Sequence, residues 1–171
     1  MRGILVFIVL AGAFLFGACP AEGRLGDSME TLDKKHGQGK ELAPEKGLQL
    51  RLYQNEGLSI LVYFKNGRSA KEVYSSGESG AGAENINPQI FQALLKANSD
   101  GKLWLPLDEK GEVSGGEEPA KLRGDLGEYS LLLREDRRAV AQIFFKEDRD
   151  SKDRIGTIVI SESSLAHGQN K

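Results

Sequence analysis

The stretch that most restricts what this chain can become runs from Leu48 to Ser76, where three extended runs are broken by two short glycine turns. Its centre is Leu58-Ser-Ile-Leu-Val-Tyr-Phe64, flanked by Leu48–Gln54 and Ser69–Ser76. Asn55-Glu-Gly57 separates the first pair and Lys65-Asn-Gly67 the second. Asn and Gly both tolerate the positive φ of a type I′ turn, so Asn-Gly between such runs predicts a hairpin. The reading is a three-stranded antiparallel meander. In the first strand Leu48, Leu50 and Leu52 alternate with Gln49, Arg51 and Tyr53, the pattern of a half-buried strand. The second is apolar on both faces, as a middle strand is, and the more charged third, Ala70–Tyr74, is expected at an edge.

The N-terminus carries an address. Arg2 is followed by an uncharged run from Gly3 to Ala18. As a helix it reaches about 24 Å, short of the roughly 30 Å hydrocarbon core. A basic start, a short apolar run and small residues after it describe a signal peptide over 1–18. The run ends in Phe16-Gly-Ala-Cys19, which resembles the lipobox of bacterial lipoprotein precursors, with Phe16 where leucine is usual. The resemblance implies that Cys19 is acylated and becomes the mature N-terminus, tying the protein to the membrane through lipid. Cys19 is the only cysteine in the chain, so no intramolecular disulfide explains it. Ordinary cleavage after Ala21 is the rival. Pro20, not aspartate, follows Cys19, so the residue linked in some bacteria to inner-membrane retention is absent and the expected address is the outer membrane, facing the periplasm.

About 150 residues remain, enough for one domain with a continuous core. Basic and acidic side chains number 23 and 25, which gives no broad positive field for nucleic acid. Residues 19–26 read as a tether and 27–162 as the globular part, with halves at 27–76 and 86–162. Asp27-Ser-Met-Glu30 has the form of a capping box, with Asp27 as N-cap. It opens a short helix that carries Met29, Leu32 and His36 on one face and stops at Gly37. Residues 38–46 read as a polar connection. Asn87 caps a second helix with Pro88 at its first position, and Ile90, Phe91, Leu94 and Leu95 form its apolar face. Leu103-Trp104-Leu105 is extended, residues 108–128 read as a long loop, and strands follow at Tyr129–Arg134, Arg138–Lys146 and Ile155–Ser161. Residues 163–171 read as a disordered polar tail. The fold expected is α+β, two short helices packed on antiparallel sheet in the order α-βββ-α-βββ, a pattern that suggests tandem duplication.

The segments Gly26–Gly37 and Gly57–Gly67 resemble the opening and the strand-Asn-Gly-strand step of small envelope lipoproteins of the SmpA/OmlA type. That group shares its fold with beta-lactamase inhibitor proteins, helices on one side of an antiparallel sheet. The resemblance implies a non-catalytic role in protein contact at the envelope and carries over no functional residue.

Candidates for chemistry are few. Gly77–Gly82 lacks the Gly-Lys-Ser/Thr ending of a phosphate loop, and Ser79 sits in no nucleophile elbow. Asp148, Asp150 and Asp153 lack the glycine and terminal glutamate of a calcium loop. His36 reads as a last-turn residue rather than a ligand, adjacent Glu117 and Glu118 form no acid–base pair, and no metal or cofactor is expected. Trp104, the only tryptophan, is the candidate partner-binding residue. The expected function is protein binding by a lipid-anchored envelope protein that is not an enzyme. The alternatives are a soluble periplasmic or secreted ligand-binding protein and, further off, a hydrolase.

Overall fold

The computed structural model describes residues 24–55, 57–76, 86–116, 118–125, 127–146 and 154–166. Helix α1 (Met29–His36) leads into four strands: β1 (Lys40–Glu45), β2 (Leu48–Asn55), β3 (Leu58–Lys65) and β4 (Arg68–Ser76). Helix α2 (Pro88–Ala97) precedes β5 (Trp104–Pro106), β6 (Leu122–Gly124), β7 (Gly127–Arg134), β8 (Ala139–Lys146) and β9 (Arg154–Glu162), and α3 (Ser163–Ala166) is a single turn. All nine strands belong to one antiparallel sheet, ordered β1-β2-β3-β4-β9-β8-β7-β5, with β6 also pairing with β7.

This corrects the α+β expectation. The α-βββ-α-βββ order gives way to four strands after the first helix and five after the second, all in one sheet. Helices of eight and ten residues are about 12 and 15 Å long. Eight strands side by side span about 34 Å. The helices therefore plug part of one face and do not layer it. Leu32 from α1 and Leu94 and Leu95 from α2 enter a core with Tyr53, Ile60, Val62, Phe64, Tyr74, Ile143, Ile158 and Ile160.

Local chemistry explains the elements. Asn66 and Gly67 have φ of 53° and 74°, the doubly positive geometry of a type I′ turn, and Lys65 pairs with Arg68 across it. The helix α2 begins as expected, Asn87 Oδ1 accepting from the Gln89 N–H at 2.8 Å with Pro88 behind it. At α1 the N-cap is Ser28 rather than Asp27, its Oγ accepting from the Thr31 N–H at 3.2 Å, while the Asp27 carboxylate pairs with Lys35 at 2.7 Å.

Three more expectations are corrected. Residues 40–45, read as a polar connection, form edge strand β1, which returns into β2 through Lys46 and Gly47 at φ 50° and 79°. The loop expected over 108–128 contains β6 and a bridge between Leu107 and Val113. Strand β4 is not an edge: β3 lies on one side and β9 on the other. Its charges misled because Glu72 is fully buried and Lys71 lays its ammonium 4.9 Å from the Tyr63 ring centroid.

Candidate functional site

The register sorts every strand residue onto one of two faces. The face that meets the helices carries Ile60, Val62, Phe64, Tyr74, Ile158, Ile143 and Leu132. Strand β2 contributes its more polar set to this face, because Arg51 pairs with Val62 and Tyr53 with Ile60. Asp33 of α1 explains that choice. Its carboxylate accepts from Arg51 Nη1 at 2.9 and 2.7 Å, from the Tyr53 hydroxyl at 3.0 Å and from the Gly39 N–H at 3.4 Å. Partial burial pushes the Asp33 carboxyl up, but these donors outweigh it and hold the carboxyl below its ordinary range. Burial pushes the Tyr53 phenol up to about 12, and the Asp33 carboxylate adds to the rise.

With Arg51 and Tyr53 facing the helices, the leucines of β2 face the other way. A single lateral row crosses six strands: Leu52, Leu61, Val73, Val159, Gln142 and Leu131 are successive direct cross-strand partners. One row over lie Leu50, Tyr63, Lys71, Ser161, Val140 and Leu133, and on the opposite flank Gln54, Ser59, Ser75, Thr157, Phe144 and Tyr129. All six members of the central row are half-buried. Three rows over six strands cover about 24 by 14 Å. A water-facing antiparallel sheet ordinarily alternates to polar residues on this side, and here five of the six central positions are aliphatic. The buried residues that α1 and α2 contribute, Leu32, Leu94 and Leu95, join the core on the other face.

Trp104 lies on the opposite side of the molecule. It is half-buried, and its Nε1–H donates to the Leu95 carbonyl at 2.8 Å, which fixes the ring against the end of α2. Together with Phe91, Leu95, Leu132, Phe145 and Ile155 it walls a groove of about 590 Å³ between α2 and the sheet. Leu103 beside it is 67% exposed. The expected aromatic anchor is thus part of the floor and wall of a concave site and not a free-standing projection.

A third feature sits beneath the segment that enters α1. Glu72, fully buried on β4, accepts a hydrogen bond at Oε2 from the Tyr74 hydroxyl, two residues along the same strand. Burial pushes the Glu72 carboxyl up to about 7 against the opposing effects of the Tyr74 hydrogen bond and the nearby Ser69; Asp27 raises it slightly and Lys35 lowers it. Tyr74 is raised further still by burial, then by the Glu72 charge, while Asn98 hydrogen-bonds its phenol. Asn98 Oδ1 in turn accepts from the Leu25 N–H at 2.7 Å, and the Ser69 hydroxyl donates to the Arg24 carbonyl at 2.9 Å. The network ties residues 24–27 to β4 and to the end of α2.

The other expected sites are placed as follows. His36 is half-buried in the last turn of α1, 5.8 Å ring to ring from Tyr53 and 3.4 Å from the Asn55 amide. Cys19, the 77–82 segment with Ser79, Glu117, and the Asp148, Asp150 and Asp153 cluster lie outside the described residues, and Glu118 is exposed. Among the described residues no three His, Cys, Asp or Glu side chains gather to hold a metal. No described helix is long and apolar enough to cross a membrane.

The sequence reading missed the aliphatic row and the Glu72–Tyr74 pair. The signal for the second was present, since residues i and i+2 of a strand share a face. The row needed the register, which no single strand carries.

No family model matches the chain, and no curated protein matches it. One similar solved structure is a cysteine-rich secretory protein from Staphylococcus aureus subsp. aureus Mu50, 12% identical, with a TM-score of 0.44. The match covers 82% of this chain, and the chain spans 45% of the length of that structure. At that score the likeness bears on neither mechanism nor partner.

Proposed function

We propose that this is an exported protein, lipid-anchored at Cys19, that works in the cell envelope by binding another protein and not by catalysis. The observation that carries the reading is the aliphatic row Leu52–Leu61–Val73–Val159 on the sheet face opposite the helices. The members of the row are half-buried and not fully covered, and a contiguous aliphatic stripe left partly in contact with water is the kind of surface a partner protein covers. The sheet edges favour the face as the contact. Strand β1 carries Lys40, Glu41, Pro44 and Glu45, and the far edge is made of the three-residue strands β5 and β6. Charge, proline and shortness all discourage strand addition at an edge.

The anchor and the contact are tested separately. Palmitate labelling that disappears in Cys19→Ser supports the anchor; unchanged processing in that variant removes it. For the contact, a photo-crosslinking residue is placed at Val73 and, as a control, at exposed Lys34 on α1. The reading expects a discrete adduct from position 73 in native envelopes, lost when Leu61→Asp is added. Adducts of equal yield from both positions refute it.

A second reading, a ligand-binding protein, draws on the groove at Trp104, whose volume falls within the roughly 300–1,000 Å³ of small-molecule sites.

A further inference from the structure

The groove between α2 and the sheet has a character that protein contact at the opposite face does not use. Its walls are Phe91, Leu95, Trp104, Leu132, Phe145 and Ile155, and among the described residues Lys96 and Lys102 are its only charged lining side chains. Both lysines are exposed, and neither joins an ion pair with a described residue. A third ammonium, that of Lys121, stands 5.4 Å from the centroid of the Phe145 ring. The neighbouring acid on the α2 side, Asp100, is paired with Arg24, and Glu118 beside Pro119 is exposed and not among the lining residues. An apolar cleft whose described lip carries the ammonium groups of Lys96 and Lys102 fits a molecule that is apolar along its length and carries one anionic end.

We infer that this groove binds a free long-chain carboxylate, with the hydrocarbon lying along Trp104, Leu132 and Phe145 and the carboxylate held at the lip by Lys96 and Lys102. The arrangement follows from two elementary costs. The chain leaves water for an apolar wall, which is favourable in proportion to the area covered. The carboxylate stays at the solvent boundary, where an ammonium partner adds a modest charge-assisted contact without the desolvation penalty of a buried ion pair. A neutral chain would gain the first term and lose the second, and a cationic one would be repelled. The site is independent of the proposed protein contact, since the two lie on opposite faces of the sheet.

The single tryptophan makes the test direct. The whole chain, held in phospholipid nanodiscs, is titrated with ω-bromododecanoate, whose terminal bromine quenches indole emission on close approach. Empty nanodiscs correct for partitioning, and ω-bromododecanol and ω-bromododecyltrimethylammonium serve as neutral and cationic counterparts. The expected result is saturable quenching of Trp104 by the carboxylate, with affinity about fivefold or more above either counterpart, the scale of two exposed charge pairs. The double variant Lys96→Glu, Lys102→Glu is expected to abolish that preference while leaving Trp104 emission without probe unchanged. Ile155→Phe, which narrows the cleft, is expected to weaken all three probes together. Quenching that fails to saturate, equal affinity for the three head groups, or a carboxylate preference that survives the double charge reversal overturns the inference.

Discussion

The Tyr74 hydroxyl donates a hydrogen bond to the carboxylate of Glu72 in the interior of the sheet, two positions along one central strand. Both groups are fully buried, and among the described residues Glu72 Oε1 has no hydrogen-bond partner. A carboxylate so placed prefers to hold its proton, because the charged form has given up water for a single phenol donor.

That preference has a definite pH signature. The Glu72 carboxyl rises from 4.5 to about 7 on folding, so the folded state binds the proton more tightly than the unfolded chain. Its contribution to stability is complete below 4.5 and is lost as pH rises to about 7, amounting to about 3 kcal/mol at most. Glu72→Gln keeps an acceptor for Tyr74 and removes the titration. Urea unfolding is expected to show the variant more stable than the parent at pH 8, by about 1–3 kcal/mol, and similar at pH 4. A parent protein whose stability climbs across that interval for lack of any such penalty, with no gain in the variant, contradicts the assignment.

Asp33 is the hinge pin between α1 and β2. Removing it in Asp33→Ala leaves the Tyr53 hydroxyl and the Arg51 guanidinium without their shared acceptor. A cost of about 1–3 kcal/mol is expected, typical of stranded hydrogen-bonding groups. The sign with pH opposes that of Glu72. The folded Asp33 carboxyl lies below 3.8, so its contribution is present above that value and fades as pH falls further. Thermal melts at pH 7 and pH 2.5 should therefore show the variant's deficit shrinking in acid.

Two glycines separate steric need from mere presence. A Cβ at Gly39 stands 2.6 Å from Cε1 of the packed Tyr53 ring, whereas one at Gly156 meets the Lys146 side chain at 2.8 Å. The lysine chain can swing aside and the ring cannot. Gly39→Ala is expected to cost about 1–3 kcal/mol, clearly more than Gly156→Ala measured in the same chemical denaturation series. Equal losses would show that Tyr53 yields more readily than its contacts imply.

The β1–β2 turn offers a gain. Lys46 holds φ at 50°, where a long side chain is uncommon and asparagine is several-fold enriched. Lys46→Asn produces the Asn-Gly pair already found at the β3–β4 turn and is expected to stabilise by about 0.5–1 kcal/mol. A lowered melting temperature would contradict this.

Much of the meander was legible because its turns are built from residues with one steric purpose. Asn66-Gly67 and the apolar run from Leu58 to Phe64 left little room for another reading, and Asn87-Pro88 marked α2 just as plainly. The neighbouring β1 was hidden for the converse reason: Lys46 in a turn and Glu41, Pro44 and Glu45 in a strand are ordinary loop residues, and only pairing with β2 orders them. Strand β4 reads as an edge from the sequence because Lys71 and Glu72 carry charges that local rules send there. Their accommodation depends on Tyr63 and Tyr74, found only once the register is fixed. The sheet's two faces posed the same difficulty. The leucines of β2 look like its inner set, and the side chain that reverses them is Asp33, on a different element.

The pairing of β4 with β9 also governs when the protein can exist. The first four strands can pair among themselves, yet the flank formed by β4, with Glu72 facing inward, has no neighbour until β9, far along the chain, arrives. Assembly of the whole is therefore dominated by a contact between distant parts of the chain, the kind that slows acquisition of structure and leaves a waiting strand open to strangers. Without Arg154–Glu162 the opening half keeps an unpaired strand flank of the kind that invites aggregation.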